Sequence, residues 1–393
     1  MKAMILAAGR GTRVRPFTDR LPKPLLPVLG TPVIETLVEL LRDHGVEEIV
    51  INTSYRSEQI ESVLGDGRRF GARIAYSFEG YLEEGELHGE PLGSAGAIRR
   101  IQEHSGFFDT PFFVLCGDAL IDVDLTAMRN RHDARAALAS LALVEVPRED
   151  VTNYGVAVTG AAGRIEGFQE KPTIEAARST AANTGIYLFD PAVIEHIPAG
   201  VVYDIGSQLL PALVDAGAPV YGDACVEEWL DIGRLSDYYR ATQLALSGQA
   251  PRVERPGQQV RDDLWLGANV SIDLERTTIV GPVCIAGSAV VEPGATLIGP
   301  VWIGAGSIIE TGATVTRSVV LDHTRVGGTA DVSDMVVCGE HCVTADGTTV
   351  SLAGRGIEWA VSDARVPSSV TRQSRRQFVD SFIRAEPITA TAY

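Results

Sequence analysis

Eight aliphatic residues stand at a constant spacing of six along the second half of this 393-residue chain: Ile279, Ile285, Val291, Leu297, Ile303, Ile309, Val315 and Leu321. Gly, Ala, Pro and Ser recur between them, as in GPVWIGAGSIIETGATV. Neither a helical period of roughly 3.6 nor strict alternation keeps that register. A step of six suits a coil with three flat faces, in which each hexad supplies one face and one inward aliphatic. The pattern predicts a left-handed parallel β-helix over residues 264–350. Leu266 and Ile272 keep the step upstream in a shifted frame, whereas Gly327 and Ser333 break it downstream. Residues 351–393 return to helical patterning over 369–384, with Phe378, Phe382 and Ile383 as the packing face.

A different pattern governs residues 1–247. Short apolar runs at 2–6, 48–52 and 112–116 alternate with helical segments, the signature of βαβ units and of an α/β domain built on a mainly parallel, Rossmann-like sheet. The clearest helix spans 32–44, with Thr31 as its cap, Pro32 in its first turn and Gly45 as its stop. Runs at 155–158, 164–168 and 185–189 suggest an appended sheet region that walls off a second pocket. Residues 234–246 read as a closing helix, and 248–263, rich in Gly, Pro and Gln, as a linker.

Composition removes several classes of function. No apolar run approaches the ~20 residues that cross a bilayer, so no membrane partner is expected. The opening MKAMILAAG reads as a buried strand rather than a signal peptide, which points to the cytoplasm. Five cysteines without a CxxC pair give no disulfide framework, and Cys338, His341 and Cys342 lack the second half of a zinc site. A net charge of -17 opposes nucleic-acid binding. Against that background, residues 1–25 carry Lys2, Arg10, Arg13, Arg15, Arg20 and Lys23 with Asp19 alone, a segment suited to a compact polyanion. Of the 34 Lys and Arg side chains only three are lysines, Lys2, Lys23 and Lys171. A lysine kept against such a bias marks a place for a compact ammonium, although Lys2 is equally explained as the start of a strand.

The chemistry-bearing residues begin in LAAGRGTRVRPFTDRLPKPLLPVLGTPVI, residues 6–34. Directly after a strand, Gly9 and Gly11 let backbone N–H groups approach phosphate oxygens, and Arg13 and Lys23 add positive charge. The third glycine of a dinucleotide fingerprint is missing, Val14 standing in its place, and no GK[ST] follows to make a Walker loop. Further along, FVLCGDALID sets Asp118 just past a buried strand, where open α/β sheets place ligands. WLDIGRLSDYYRA sets Asp231 at another strand end. Two such carboxylates suit Mg²⁺, which prefers hard oxygen ligands completed by phosphate oxygens and water. Taken singly, each aspartate would read as a helix cap or turn residue.

These motifs resemble the sugar-1-phosphate nucleotidyltransferase family, and the resemblance covers nearly all of the first 247 residues. It implies a reaction of a nucleoside triphosphate with a sugar 1-phosphate to give a nucleotide sugar and pyrophosphate. It also implies that Leu6, Ala8, Gly9, Gly11 and Thr12 hold the nucleotide, with Arg13, Lys23 and Asp118 catalytic and Asp118 and Asp231 on the metal. EPLGSAGAI, with Glu90, Gly93, Ser94 and Gly96, is similar to the family's base- and ribose-holding segment. NYGVAV, FQEKP and NTGIYLF place Gly155, Glu170, Lys171, Asn183 and Thr184 on the sugar phosphate. Glu170 and Lys171 also read as a solvated pair in a turn. The phrase EPLGSAG and the attached β-helix look most like mannose-1-phosphate guanylyltransferases, which implies GTP and mannose 1-phosphate. The catalytic half alone looks as much like uridylyl- or thymidylyltransferases acting on glucose 1-phosphate or another sugar 1-phosphate. Ser94 stands where the family usually has Thr, and Arg234 where Thr or Gln is usual. A noncatalytic subunit that senses a nucleotide sugar is the alternative of another class. The solenoid, whose His323 and His341 do not sit in an acetyltransferase context, is expected to serve assembly or regulation through homo-oligomers.

Overall fold

The structure, a computed structural model, describes residues 1–355, 357, 359–367 and 376. Apart from Arg376, the helix expected over 369–384 lies outside the described residues. The chain divides into two compact units, one of Met1–Leu26 with Thr31–Asp231, the other of Pro27–Gly30 with Ile232–Tyr393.

The first unit is organised by strands whose side chains alternate between two buried faces. In β1 (Lys2–Leu6), Ala3 and Ile5 enter one core and Met4 the other. Helices α1 (Val33–Asp43) and α2 (Ser57–Leu64) cover the first face through Ile34, Leu37, Val38, Ile60 and Leu64. The strands β2 (Glu48–Thr53) and β3 (Arg73–Phe78) follow in parallel beside β1. Helix α3 (Ser94–Ser105) lays Ala97, Ile98 and Ile101 on the second face. On the other side of β1 runs β4 (Phe112–Cys116), also parallel, whose Phe113 and Leu115 join the first core while Phe112 and Val114 join the second. Burial on both faces is why these strands read as continuous apolar runs.

Beyond β4 the sheet changes direction. After the short β5 (Ala119–Val123) and helix α4 (Leu125–Ala134), strand β6 (Ala139–Glu145) and the hairpin partners β7 (Gly155–Thr159) and β8 (Ile165–Glu170) are joined by β9 (Ala181–Phe189), which pairs antiparallel with β4, β6 and β7. Helix α5 (Leu210–Asp215), β10 (Val220–Asp223) and β11 (Val226–Asp231) complete the unit. The nine-stranded sheet is thus parallel over β3-β2-β1-β4 and extended by an antiparallel region, as the sequence led one to expect. Thr31 does not cap α1, because the chain enters it extended through Thr31–Pro32 and Pro32 takes the cap position with no side-chain hydrogen bond.

The second unit is a parallel β-helix with three sheets. Val283 pairs with Val301, and Thr296 with Thr314, each a step of 18 residues or three hexads. Leu264 pairs with Val283 and Ser271 with Val290, steps of 19, which explains the shifted upstream frame. Val319 pairs with Val336 and Ile308 with Arg325, steps of 17, which explains the downstream break. The shorter coil corrects one residue of the repeat. Val320 rather than Leu321 stands opposite Ile303 and is fully buried, while Leu321 is only half-buried. Within the stretch expected as a linker, Gln258–Arg261 forms a strand antiparallel to Leu264–Leu266. Within the expected tail, Val361–Asp363 pairs antiparallel with Thr324–Val326. Helix α6 (Leu235–Leu246), expected to close the first domain, counts with this unit. Its Tyr238 hydroxyl donates to Pro27 O at 2.7 Å.

Truncating a stacked aliphatic leaves a cavity that neighbouring coils cannot refill. Ile303→Ala is expected to lower stability by about 2–5 kcal/mol in urea denaturation, and Leu321→Ala by clearly less. Equal losses at both positions would contradict the shortened coil.

Candidate active site

The parallel strands end level with one another: Leu6 lies opposite Asn52 on one side and Cys116 on the other. Three connections therefore leave the same edge of the sheet. After β1 comes the glycine loop. After β4 comes the Gly117–Asp118 turn, in which Gly117 N donates to Leu6 O at 3.0 Å and an added Cβ would lie 2.7 Å from that oxygen. Asp118 is thereby held at the rim. Strand β11 pairs antiparallel with β5, placing Asp231 opposite Ala119, one residue from Asp118. Burial, followed by the charges of Asp118 and Asp231, pushes the Cys116 thiol up, so it stays protonated at neutral pH.

Lys23 starts a short 3₁₀ turn, is 8% exposed, and donates from Nζ to Asp118 Oδ2 at 2.5 Å. Gly11, at φ +62°, lies against the lysine stem: a Cβ there would be 2.9 Å from Lys23 Cβ. Around Gly9 a Cβ would meet nothing within 4 Å, so packing does not require that glycine and its backbone faces open space. Ala8 is buried beside it, while Thr12 and Arg13 are exposed, as are Arg10, Arg15 and Arg20.

A cleft of about 230 Å³ adjoins this edge, bordered by Leu6, Asp118 and Asp231. Its far wall carries all the residues expected on the sugar side, Gly155, Glu170, Lys171, Asn183 and Thr184. Glu170 and Lys171 form an ion pair at 3.0 Å, both partly exposed. Gly155 sits opposite Glu170 in the β7–β8 ladder, where a Cβ would come within 2.7 Å of Glu170 Oε2 and of Phe168 Cζ. Asn183 donates to the Tyr187 hydroxyl at 2.8 Å, and Thr184 donates to Ala142 O at 2.9 Å. Sequence reasoning missed two aromatic residues here, Tyr154 and Trp229, which meet edge to face at 4.8 Å. The buried Trp229 Nε1 has no hydrogen-bond partner among the described residues.

The segment 90–98 joins from the side. Of its expected residues only Ser94 lines the cleft. Gly93, at φ +76°, and Gly96 are fixed by a chain crossing, since Cβ atoms there would lie 2.5 Å from Tyr203 O and 3.0 Å from Val201 O. Tyr203 O accepts from both Ala95 N and Gly96 N at 2.9 Å. The Glu90 amide donates to Glu79 O at 2.9 Å while the residue itself stays exposed. Ser94 Oγ donates to Asp204 Oδ2 at 2.7 Å and accepts from Ile205 N at 2.7 Å. Asp204 lines the cleft and was also missed. Its sequence signal is faint, an aspartate three residues ahead of Ser207, the spacing of a helix cap.

Burial opposes ionisation of Asp204, but hydrogen bonds from Ser207, Ser94 and Gly206 outweigh it and hold the carboxyl below its usual range. The stability it contributes is therefore full above the ordinary aspartate value near ~4 and is lost as pH falls through the lowered value. Asp204→Asn is expected to lower the melting temperature at pH 7, with the gap to the parent closing below about pH 4. A gap that persists unchanged at pH 3 would remove the carboxylate from this role.

With the geometry in place, comparison with known proteins agrees. Residues 2–248 match the nucleotidyl transferase family. A UTP–glucose-1-phosphate uridylyltransferase of Synechocystis is 47% identical over 95% of this chain and 96% of its own length. A mannose-1-phosphate guanylyltransferase of Mycobacterium tuberculosis is 30% identical over 74% of this chain and 77% of its own. Among solved structures, a putative glucose-1-phosphate thymidylyltransferase from Bacillus anthracis, in complex with sucrose, superposes with a TM-score of 0.52 at 26% identity, covering 62% of this chain and 95% of that one. The chain belongs to the nucleotidyl transferase family and is a sugar-1-phosphate nucleotidyltransferase.

Proposed function

We propose that this enzyme makes UDP-glucose and pyrophosphate from UTP and glucose 1-phosphate. The observation that carries the choice is the 47% identity to a uridylyltransferase along almost the whole chain, solenoid included, against 30–32% for the guanylyltransferases. The expectation of GTP and mannose 1-phosphate gives way to it. Gly93 and Gly96 of EPLGSAG, the phrase that carried the likeness to guanylyltransferases, pack against residues 201–203 and so also serve a chain crossing.

In this reading the glycine loop and Arg13 receive the triphosphate, and the far wall receives the hexose phosphate, with Lys171 toward its phosphate. An oxygen of glucose 1-phosphate attacks the α-phosphorus. A new P–O bond forms, the bond from the α-phosphorus to the bridging oxygen breaks, and pyrophosphate leaves with the electron pair. Lys23, oriented by Asp118, presents its ammonium to the charge that builds up in between. No protein nucleophile is required, and the protonated Cys116 offers none.

Asp118 and Asp231 suit a divalent cation in donor type and placement, two hard carboxylates, one in the turn just before Ala119 and the other on the strand residue that pairs with Ala119. Among the described residues no group of three or more His, Cys, Asp or Glu gathers as a metal site. Mg²⁺ held there would complete its shell from phosphate oxygens and water, and would neutralise charge on the triphosphate.

Pyrophosphate release, measured for four nucleoside triphosphates against several sugar 1-phosphates, is expected to be fastest with UTP and glucose 1-phosphate. Lys23→Met and Asp118→Asn should each lower kcat by about 100-fold or more while the protein stays folded. Faster turnover with GTP and mannose 1-phosphate would overturn the substrate assignment. Absence of turnover with every pair would favour the sensor reading.

A further inference from the structure

Outside the cleft, the most deeply buried acid of the first unit is Glu79, 1% exposed, beside Asn52 at 3%. An isolated carboxylate in such a place is costly unless its oxygens are satisfied. Both are. Asn52 Nδ2 donates to Glu79 Oε1 at 2.5 Å, and Leu92 N donates to Glu79 Oε2 at 2.7 Å. The other end of the Asn52 amide is also engaged, its Oδ1 accepting from Ala7 N at 2.8 Å. A continuous relay thus runs from Ala7, at the entrance of the glycine loop, through Asn52 and Glu79 to Leu92, at the entrance of α3.

The chain path makes this relay informative. Between Glu79 and Glu90 the backbone makes an exposed hairpin, Gly80–Glu83 with Glu86–Gly89, which among the described residues pairs only with itself. Glu79 O accepts from Glu90 N at the hairpin's base, so Glu79 closes the excursion with its backbone and fixes the returning strand with its side chain. Burial pushes the Glu79 carboxyl up, against the pull of the Asn52 and Leu92 bonds and of Arg100. The pair therefore holds its place through hydrogen bonds and not through a salt bridge.

We propose that Asn52 and Glu79 are positioning residues that latch the base-side segment 90–94 to the phosphate loop, setting the distance between the two halves of the nucleotide site. This rests on the nucleotidyl-transfer reading above. Both side chains are almost wholly buried, so the latch acts through Ala7 and Leu92 and not by touching substrate.

The relay has a polarity that can be reversed. In Glu79→Gln the amide N–H₂ must face either the Asn52 amide or the Leu92 amide, so one bond of the relay is lost, and in Asn52→Asp two acidic groups face each other and meet only by sharing a proton; each single change frustrates the relay. In the double variant Asn52→Asp/Glu79→Gln every bond returns, Ala7 N and the Gln amide both donating to the Asp carboxylate, and the Gln carbonyl accepting from Leu92 N.

In the full-length enzyme, each single variant should raise KM for UTP about tenfold, the scale of one lost buried hydrogen bond, with KM for glucose 1-phosphate within about twofold of the parent. The double variant should recover to within about threefold of the parent in KM for UTP. Hydrogen exchange at the Leu92 amide should be fast in both single variants and slow in the parent and the double. That readout needs no turnover, so it tests the latch even if the substrate assignment fails. A double variant no better than the worse single one, or a Leu92 amide indifferent to all three changes, would overturn the proposal. So would a Glu79→Gln enzyme that changes its nucleotide preference, because that outcome would put Glu79 on the base itself.

Discussion

A lysine ammonium nine-tenths removed from water, held by one aspartate, is the constraint from which the site follows. Burying such a charge is tolerable only with a partner at hydrogen-bond distance, and Asp118 is that partner. The pairing fixes the 22–26 turn to the strand end after Cys116. It also explains Gly11, whose backbone rests on the lysine stem where any Cβ would collide. The loop that faces open space at Gly9 is thus braced from behind by the residue proposed to act on the same phosphates. Side-chain entropy lost by Lys23 is lost on folding, before substrate arrives, which is what preorganisation means for a catalytic cation.

The sheet supplies the second constraint. Because Leu6, Asn52 and Cys116 end level, the glycine loop, the Asn52 amide and the Asp118 turn share one edge. The reversal of direction at β9 then brings Asn183 and Thr184 to the same edge from a strand running the other way. Asp231 arrives by a third route, the antiparallel β5–β11 ladder outside the main sheet. Residues from five separate stretches of sequence therefore converge on one edge of the sheet.

How much of this could be read in advance depended on whether a residue's role repeats or stands alone. The hexad pattern was legible because each inward aliphatic has the same surroundings as the one six residues before it. It failed at Leu321, where one residue fewer in the coil moved Val320 inward. Asp118 and Asp231 were legible from their places at strand ends. Asp204 and Glu79 were not, since a lone carboxylate in a polar stretch looks the same whether it caps a turn at the surface or lies beneath the site. The chain crossing at Gly93 and Gly96 was not legible for a related reason. Glycine marks close approach, but the sequence does not say whether ligand or backbone approaches, and here it is Tyr203 and Val201.

That ambiguity bears on why the reaction was easier to infer than its substrates. Phosphate chemistry is met by features a sequence displays openly: glycines after a strand, cations beside them, aspartates at strand ends. Base and hexose are distinguished by a few hydrogen bonds whose positions depend on how segments far apart in the chain are held against one another. Ser94 with Asp204, and Asn52 with Glu79, are contacts of that kind, each joining stretches well separated in sequence. A brace of that kind sets how far apart two motifs stand, and the residues of neither motif record it. The spacing between motifs is accordingly set by side chains that no motif contains, and the reaction could be read without that spacing whereas its substrates could not.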